Sequence, residues 1–300
     1  MPEPSKKAKF DPPPPKPSTD PESAQQLAAY ALELMAGTYG TRVHCLGHVV
    51  KDDKVFPWFF DASGMVTTSD SLSIIQDFSM FAAFIVALAS CTPVQHGALP
   101  QAAIQRPAQE QGQFPQKTLS GCTITMRDIA TNDEARVRLV DHIFTQYSLV
   151  GRRTFLYSAD CDDTKSPLRD VVVKFSYQAR TRAPEQDFVK KATDAGVRHL
   201  PVIHMIAESW KMSDGVRQVF YETTRGLANY EDRCLRGIMY RRYRPIGNLF
   251  VQNCRLVPVM VAQMIDGECL DRGPHARPSM TIRLSYRSGR STFQGQHSSS

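Results

Sequence analysis

The chain has 300 residues, 42% of them hydrophobic, which can supply the core of one large domain or two small ones. Its net charge of +6 sits in the tails: Arg272, Arg277, Arg283, Arg287 and Arg290 stand against Asp271, and Lys6, Lys7, Lys9 and Lys16 against Glu3, Asp11 and Asp20. The interior is therefore close to neutral, and no basic face for nucleic acid is expected.

The longest apolar run, Met80 to Ala89, falls well short of the roughly 20 residues that span a bilayer, and the N-terminus lacks a signal-like apolar stretch. A soluble, intracellular protein, cytoplasmic or nuclear, with no membrane partner is expected. The 7 cysteines are scattered, with no C-x-x-C pair, which argues against a disulfide framework or a zinc site. The 8 histidines show no metal-ligand spacing and no G-x-S-x-G is present, so no metal site and no hydrolase centre is expected.

In chain order, residues 1–23 combine a lysine cluster with PPPPKP, the composition of a disordered leader. Residues 24–92 are expected to form one α+β unit. QQLAAYALELMAG places Leu27, Tyr30, Ala31 and Leu34 at helical spacing and stops at Gly37. RVHCLGHVV, KVFPWFFDAS and GMVTTS follow as an antiparallel meander, its turns at Lys51-Asp52-Asp53 and Ala62-Ser63-Gly64. The apolar residues of DSLSIIQDFSMFAAFIVALAS, from Ile74 to Leu88, then recur every three or four positions, which predicts a helix packed on that meander.

Residues 93–118, rich in Gln, Pro and Ala without a period, read as a linker. Beyond it GCTITMRDI, the stretch around SLVGRRTFLYSA, DVVVKFSYQ, PVIHMIAES, VRQVFYETT and LRGIMYRRYRPI read as strands, with one helix at PEQDFVKKATDAG. The final 271–300 are Arg/Ser-rich without period, a disordered basic tail.

One constellation carries chemistry. Lys174 ends the apolar run Val171-Val172-Val173, the turn-like Leu149-Val150-Gly151-Arg152-Arg153-Thr154 precedes it, and Glu185 follows at the start of the predicted helix. A glycine loop lets backbone amides approach phosphates, a strand-held lysine neutralises them, and a helix glutamate holds that lysine. Taken singly, each has a plainer reading: a snorkelling edge lysine, a hairpin glycine, a carboxylate at a helix N-terminus.

The ordered set is more specific. Tyr30 in the first helix, then Trp58-Phe59-Phe60-Asp61 with Ser63-Gly64, then Cys91-Thr92-Pro93 resemble the upstream half of the fungal-type protein kinase family. SLVGRRTFLYSA, VVVK, PEQDFVKKA and LRGIMYRRYRPIGNLF with Tyr243-Arg244-Pro245 are similar, in order, to its phosphate loop, lysine strand, glutamate helix and hinge. The resemblance covers roughly residues 24–265.

It implies an α+β fold in which the upstream helix–β-meander–helix unit is followed by a protein-kinase-like small lobe at 119–250, an antiparallel sheet plus one helix. The start of a large lobe is expected at 251–270, truncated. It also implies ATP with Mg as cofactor and protein Ser/Thr hydroxyls as substrate. Lys174 and Glu185 are then the catalytic pair, and Val150, Gly151, Thr154, Lys174 and Tyr243 the nucleotide-binding residues.

Two departures shape that expectation. Arg153 stands where the family usually has the second glycine of the loop. No His-Arg-Asp with a downstream Asn and no Asp-Phe-Gly appears, and Asp266 and Asp271 lie in no such motif. A catalytically incomplete kinase relative is expected, with a non-catalytic, pseudokinase-like protein that binds a protein partner as the alternative, and a nucleic-acid module using the basic tails as a third, lower-ranked reading.

Overall fold

The computed structural model describes residues 21–107, 117–161, 168–219 and 231–243. The expected leader up to residue 20, the part of the linker at 108–116, Arg244-Pro245, the large-lobe start, Asp266, Asp271 and the basic tail lie outside them. No helix among the described residues is long and apolar enough to cross a membrane.

Among the described residues three α-helices and ten strands give an α+β architecture: α1 (Pro21–Ala36), β1 (His44–Lys51), β2 (Lys54–Asp61), β3 (Gly64–Thr67), β4 (Leu72–Ser73), α2 (Phe78–Ser90), β5 (Thr123–Asp128), β6 (Glu134–Thr145), β7 (Phe155–Cys161), β8 (Leu168–Ala179), α3 (Glu185–Asp194), β9 (Ile203–Lys211) and β10 (Arg233–Arg241).

β1, β2 and β3 form the expected antiparallel meander, with β4 added beside β2. Strand residues point alternately to the two faces, and β2 is apolar on both. Phe56, Trp58 and Phe60 face α1, where they form one buried cluster with Ala31 and Met35 of α1 and Cys45 of β1. Phe59, on the opposite phase, lies 5.0 Å from the His44 ring. The turn motif has a clear role: the Asp61 carboxylate accepts from the Ser63 and Gly64 amides at 2.8 and 3.1 Å, closing the β2–β3 hairpin, and pairs with Arg217 at 3.6 Å.

His44 is buried, and its Nε2 donates to the Gln95 carbonyl at 3.0 Å. Burial pushes its pKa down to about 4, outweighing that hydrogen bond, with Arg42, His96 and Arg153 nearby acting in the same direction as burial. The folded pKa lies below the unfolded one, so the neutral ring stabilises fully above about pH 6.5, and that stabilisation is lost as pH falls towards 4. The full effect is about 3 kcal/mol. Thermal midpoints measured from pH 7 to pH 4.5 should fall less steeply in His44→Gln than in the parent chain; parallel curves would refute the assignment.

The second expected helix is shorter than its pattern. Ser73 Oγ donates to the Asp53 carboxylate at 2.7 Å, the Ile74 amide to the Asp53 carbonyl at 2.6 Å, and Asp77 accepts from the Ser73 amide. These bonds fold residues 72–77 onto the β1–β2 turn, so Ile74 and Ile75 precede the helix. Nor does α2 bury a residue against the meander: Phe78, Met80 and Val86 are each about two-thirds exposed. Phe81, Phe84 and Leu88, at helical spacing, are the partly covered face, and the remaining large apolar residues of the helix are exposed.

Residues 93–107 pack rather than bridge. Leu99 donates its amide to Thr41 and Val43 donates to Gly97; Ala98, Leu99, Ala103 and Ile104 are buried. The second sheet closes into a six-stranded antiparallel barrel in the order β10-β8-β7-β6-β5-β9. Alternation fills its interior with Val137, Leu139, Phe155, Tyr157, Val173, Phe175, Tyr177, Leu235 and Met239. Val43 and Ala62 from the upstream part and Leu99 and Ile104 from the connecting stretch join the same core.

β6 adds a strand that the sequence pattern does not predict, because the charged Glu134, Arg136 and Arg138 alternate with and mask the inward Ala135, Val137 and Leu139. The expected strand at 216–224 is corrected in its described part, since residues 217–219 are helical. Arg217 turns inward there, onto Asp61 and the Phe59 ring, instead of alternating along a strand.

Candidate functional site

Val173 and Phe175 point into the barrel, so Lys174 between them projects from its outer face. α3 begins at Glu185, after Pro184 in extended geometry, a residue suited to the start of a helix. Glu185 grips the lysine with both carboxylate oxygens, at 2.9 and 2.8 Å from Nζ.

Tyr240 on β10 completes the cluster. Its hydroxyl donates to Glu185 Oε1 at 2.7 Å. Sequence reasoning missed this residue. β10 and β8 pair with Ile238 opposite Lys174 and Tyr240 opposite Val172, which puts Tyr240 on the lysine's face, and only the register reveals it. Burial by itself would raise the Glu185 pKa; the hydrogen bonds from Lys174 and Tyr240 and the charges of Lys174 and Arg152 more than offset it and hold the carboxyl below its ordinary value. Burial and the Glu185 carboxylate both push the Tyr240 phenol up, so it remains a donor.

The loop between β6 and β7 carries the other expected residues. Gly151 adopts φ +100 with open space where a side chain would stand, and its amide donates to the Ala62 carbonyl at 2.8 Å. Thr154 donates its amide to Gln146 Oε1 and accepts from the Gln146 amide at 2.7 Å. Val150 is exposed. Tyr243 follows β10, also exposed, and accepts from the Val202 amide at 3.0 Å. Glu185 thus joins Lys174 and Tyr240 through hydrogen bonds, whereas the Gly151 amide, the Thr154 amide and the Tyr243 hydroxyl are hydrogen-bonded to Ala62, Gln146 and Val202.

Arg153 does not reach towards the lysine. It is 5% exposed; its guanidinium donates to the carbonyls of Val43 and Arg42 at 3.2 Å and Met35 at 3.5 Å and stacks on the Tyr177 ring. Burial lowers its pKa, countered by Tyr177, Cys45 and Asp61, and pushes the Tyr177 phenol up to about 12.

Among the described residues no cluster of three or more His, Cys, Asp or Glu side chains has the arrangement of a metal site. A search of curated proteins and a search of solved structures each returned no match. The family model for "fungal protein kinase" matches residues 15–233, spanning the upstream helix and sheet, the Gly151 loop, Lys174 and Glu185, and the chain belongs to the fungal protein kinase family.

Proposed function

We propose that the chain binds ATP on the outer face of the barrel, with the Lys174 ammonium against the phosphates and Glu185 as the group that holds it. The bidentate Lys174–Glu185 pair, buttressed by Tyr240, is the observation that carries this reading. A half-buried lysine fixed by one carboxylate is a localised positive charge of the kind a phosphate requires. Val150, Gly151 and Thr154 form the covering loop in this reading, and Tyr243 lies on the hinge.

The family reaction is phosphoryl transfer from ATP to protein Ser/Thr hydroxyls. The nucleotide supplies the transferable group; Lys174 neutralises phosphate charge, Glu185 orients the lysine, and Tyr240 orients the glutamate. The described residues offer no donor set for Mg, so no step is assigned to it. The 300 residues contain no His-Arg-Asp with its Asn and no Asp-Phe-Gly, so the proposal is nucleotide binding without a complete catalytic set in this stretch.

A thermal-shift titration with Mg-ATP tests it, since a ligand that binds only the folded state stabilises it by about 2.7 kcal/mol at a hundredfold excess over Kd. We expect a rise in melting temperature that Lys174→Met abolishes. No rise at millimolar Mg-ATP would sink the nucleotide reading.

A second reading, a pseudokinase-like protein that binds a protein partner through its upstream unit, is favoured by α2, which exposes Phe78, Met80 and Val86.

A further inference from the structure

The loop between β6 and β7 is tied to the upstream part of the chain at four successive points. The Tyr147 hydroxyl donates to the Glu33 carboxylate on α1. Leu149 packs against the α1–β2 cluster of Ala31, Met35 and Trp58. The Gly151 amide donates to the Ala62 carbonyl, at the β2–β3 hairpin. Arg153 is the deepest of the four: it reaches three carbonyls on the segment leaving α1 and entering β1, and its charge lies over Tyr177.

The last tie has a backbone signature. Arg153 sits at φ +43, a conformation natural to glycine and disfavoured for a side chain. Such a conformation persists only where the surroundings over-determine it, and three hydrogen bonds from one buried guanidinium do so. The same loop is the one whose amides would have to meet phosphate. Here the Gly151 amide is given to Ala62, and Thr154's to Gln146. A phosphate needs those N–H groups unpaired and facing it.

We infer that Arg153 is a latch: it fastens loop 147–154 to the upstream unit, withholds the Gly151 amide from the nucleotide, and so makes the upstream unit a gate on ATP binding at Lys174. The inference rests on the nucleotide reading above. Release of the latch frees the amide and raises affinity; closure lowers it. The chemistry is carried by this chain's own residues and requires no further ligand.

Arg153→Gly is the direct test, because glycine accepts φ +43 without strain and removes the whole side chain that makes the tie, guanidinium and aliphatic stem together. Tyr147→Phe is the second variant; Tyr147 is 60% exposed, so its substitution does not threaten the fold. Two measurements are made on each full-length chain: amide hydrogen exchange across residues 147–154 without nucleotide, and Mg-ATP affinity by calorimetry.

We expect exchange in the loop to rise at least tenfold in Arg153→Gly and Mg-ATP to bind about tenfold tighter, with changes of two- to threefold in the same direction for Tyr147→Phe. Unchanged loop exchange in both variants would overturn the latch. Faster exchange with equal or weaker affinity, while the parent chain binds Mg-ATP, would overturn the gate and leave the nucleotide reading intact. If neither the parent nor a variant binds Mg-ATP while Lys174→Met is equally silent, the nucleotide reading fails and the gate with it.

Discussion

Replacing Gly97 with alanine is expected to destabilise the chain by about 3 kcal/mol or more, seen as a melting temperature lower by roughly 6–12 °C or as loss of folded protein. Gly97 adopts φ +101, and a Cβ built there would lie 1.9 Å from the His44 carbonyl oxygen and 2.9 Å from its carbon. Both are backbone atoms of β1, so no side-chain rotation relieves the overlap. The Gly97 carbonyl accepts from the Val43 amide at 2.8 Å, so displacing it also pulls on a core residue. Gly196→Ala is the control: φ is +76 there, with nothing within 4 Å, so only backbone strain of about 1 kcal/mol is expected. Equal losses at the two sites would show that the overlap is relieved and that the packing of 93–107 on β1 is loose.

Phe175→Ala should cost about 3–5 kcal/mol, a drop of roughly 10 °C, the range for emptying a buried aromatic site. Phe175 is fully buried, stacked on Phe155 at 5.0 Å, and faces Gly237 across β10, where a Cβ would come within 3.2 Å of the ring. The ring fills the barrel directly behind Lys174, and the strands around it are held on both sides by neighbours, which limits collapse into the void. Phe188→Ala on α3 removes the same ring from a residue 60% exposed and should change stability by less than about 0.5 kcal/mol. A Phe175→Ala loss below 1 kcal/mol in denaturant unfolding would mean that the barrel interior is not close-packed.

The elements legible in the sequence are those whose pattern is local. α1 announced itself through Leu27, Ala31 and Leu34, the meander through β2's aromatic run and the Asp61-Ala62-Ser63-Gly64 turn, and α3 through its Pro184–Glu185 start. Lys174 and Glu185 were also visible, because an apolar strand ending in lysine and a carboxylate opening the next helix are short-range features; the structure brings them to 2.8 Å. β6 was hidden because its outward positions carry so much charge that the inward alternation is diluted.

What only the tertiary structure decided is long-range. The ten-residue apolar run of α2 suggested a buried helix, yet burial depends on how much surface lies opposite, and among the described residues its neighbours cover Phe81, Phe84 and Leu88 only in part. The stretch at 93–107 has no period, because its buried residues are chosen one at a time by β1 and the barrel rather than by a repeating face. Tyr240 joined the lysine cluster through strand register, and Arg153 turned from the lysine towards carbonyls 110–118 residues earlier in the chain. The sequence by itself determined the α+β class, the local elements α1, β1–β3 and α3, and the two charges of the candidate site, since each follows from neighbours within a few residues. The closure of the barrel, the partner of Glu185 on β10 and the direction of Arg153 were set by contacts between distant segments, where burial leaves a polar group no partner but the one the fold provides.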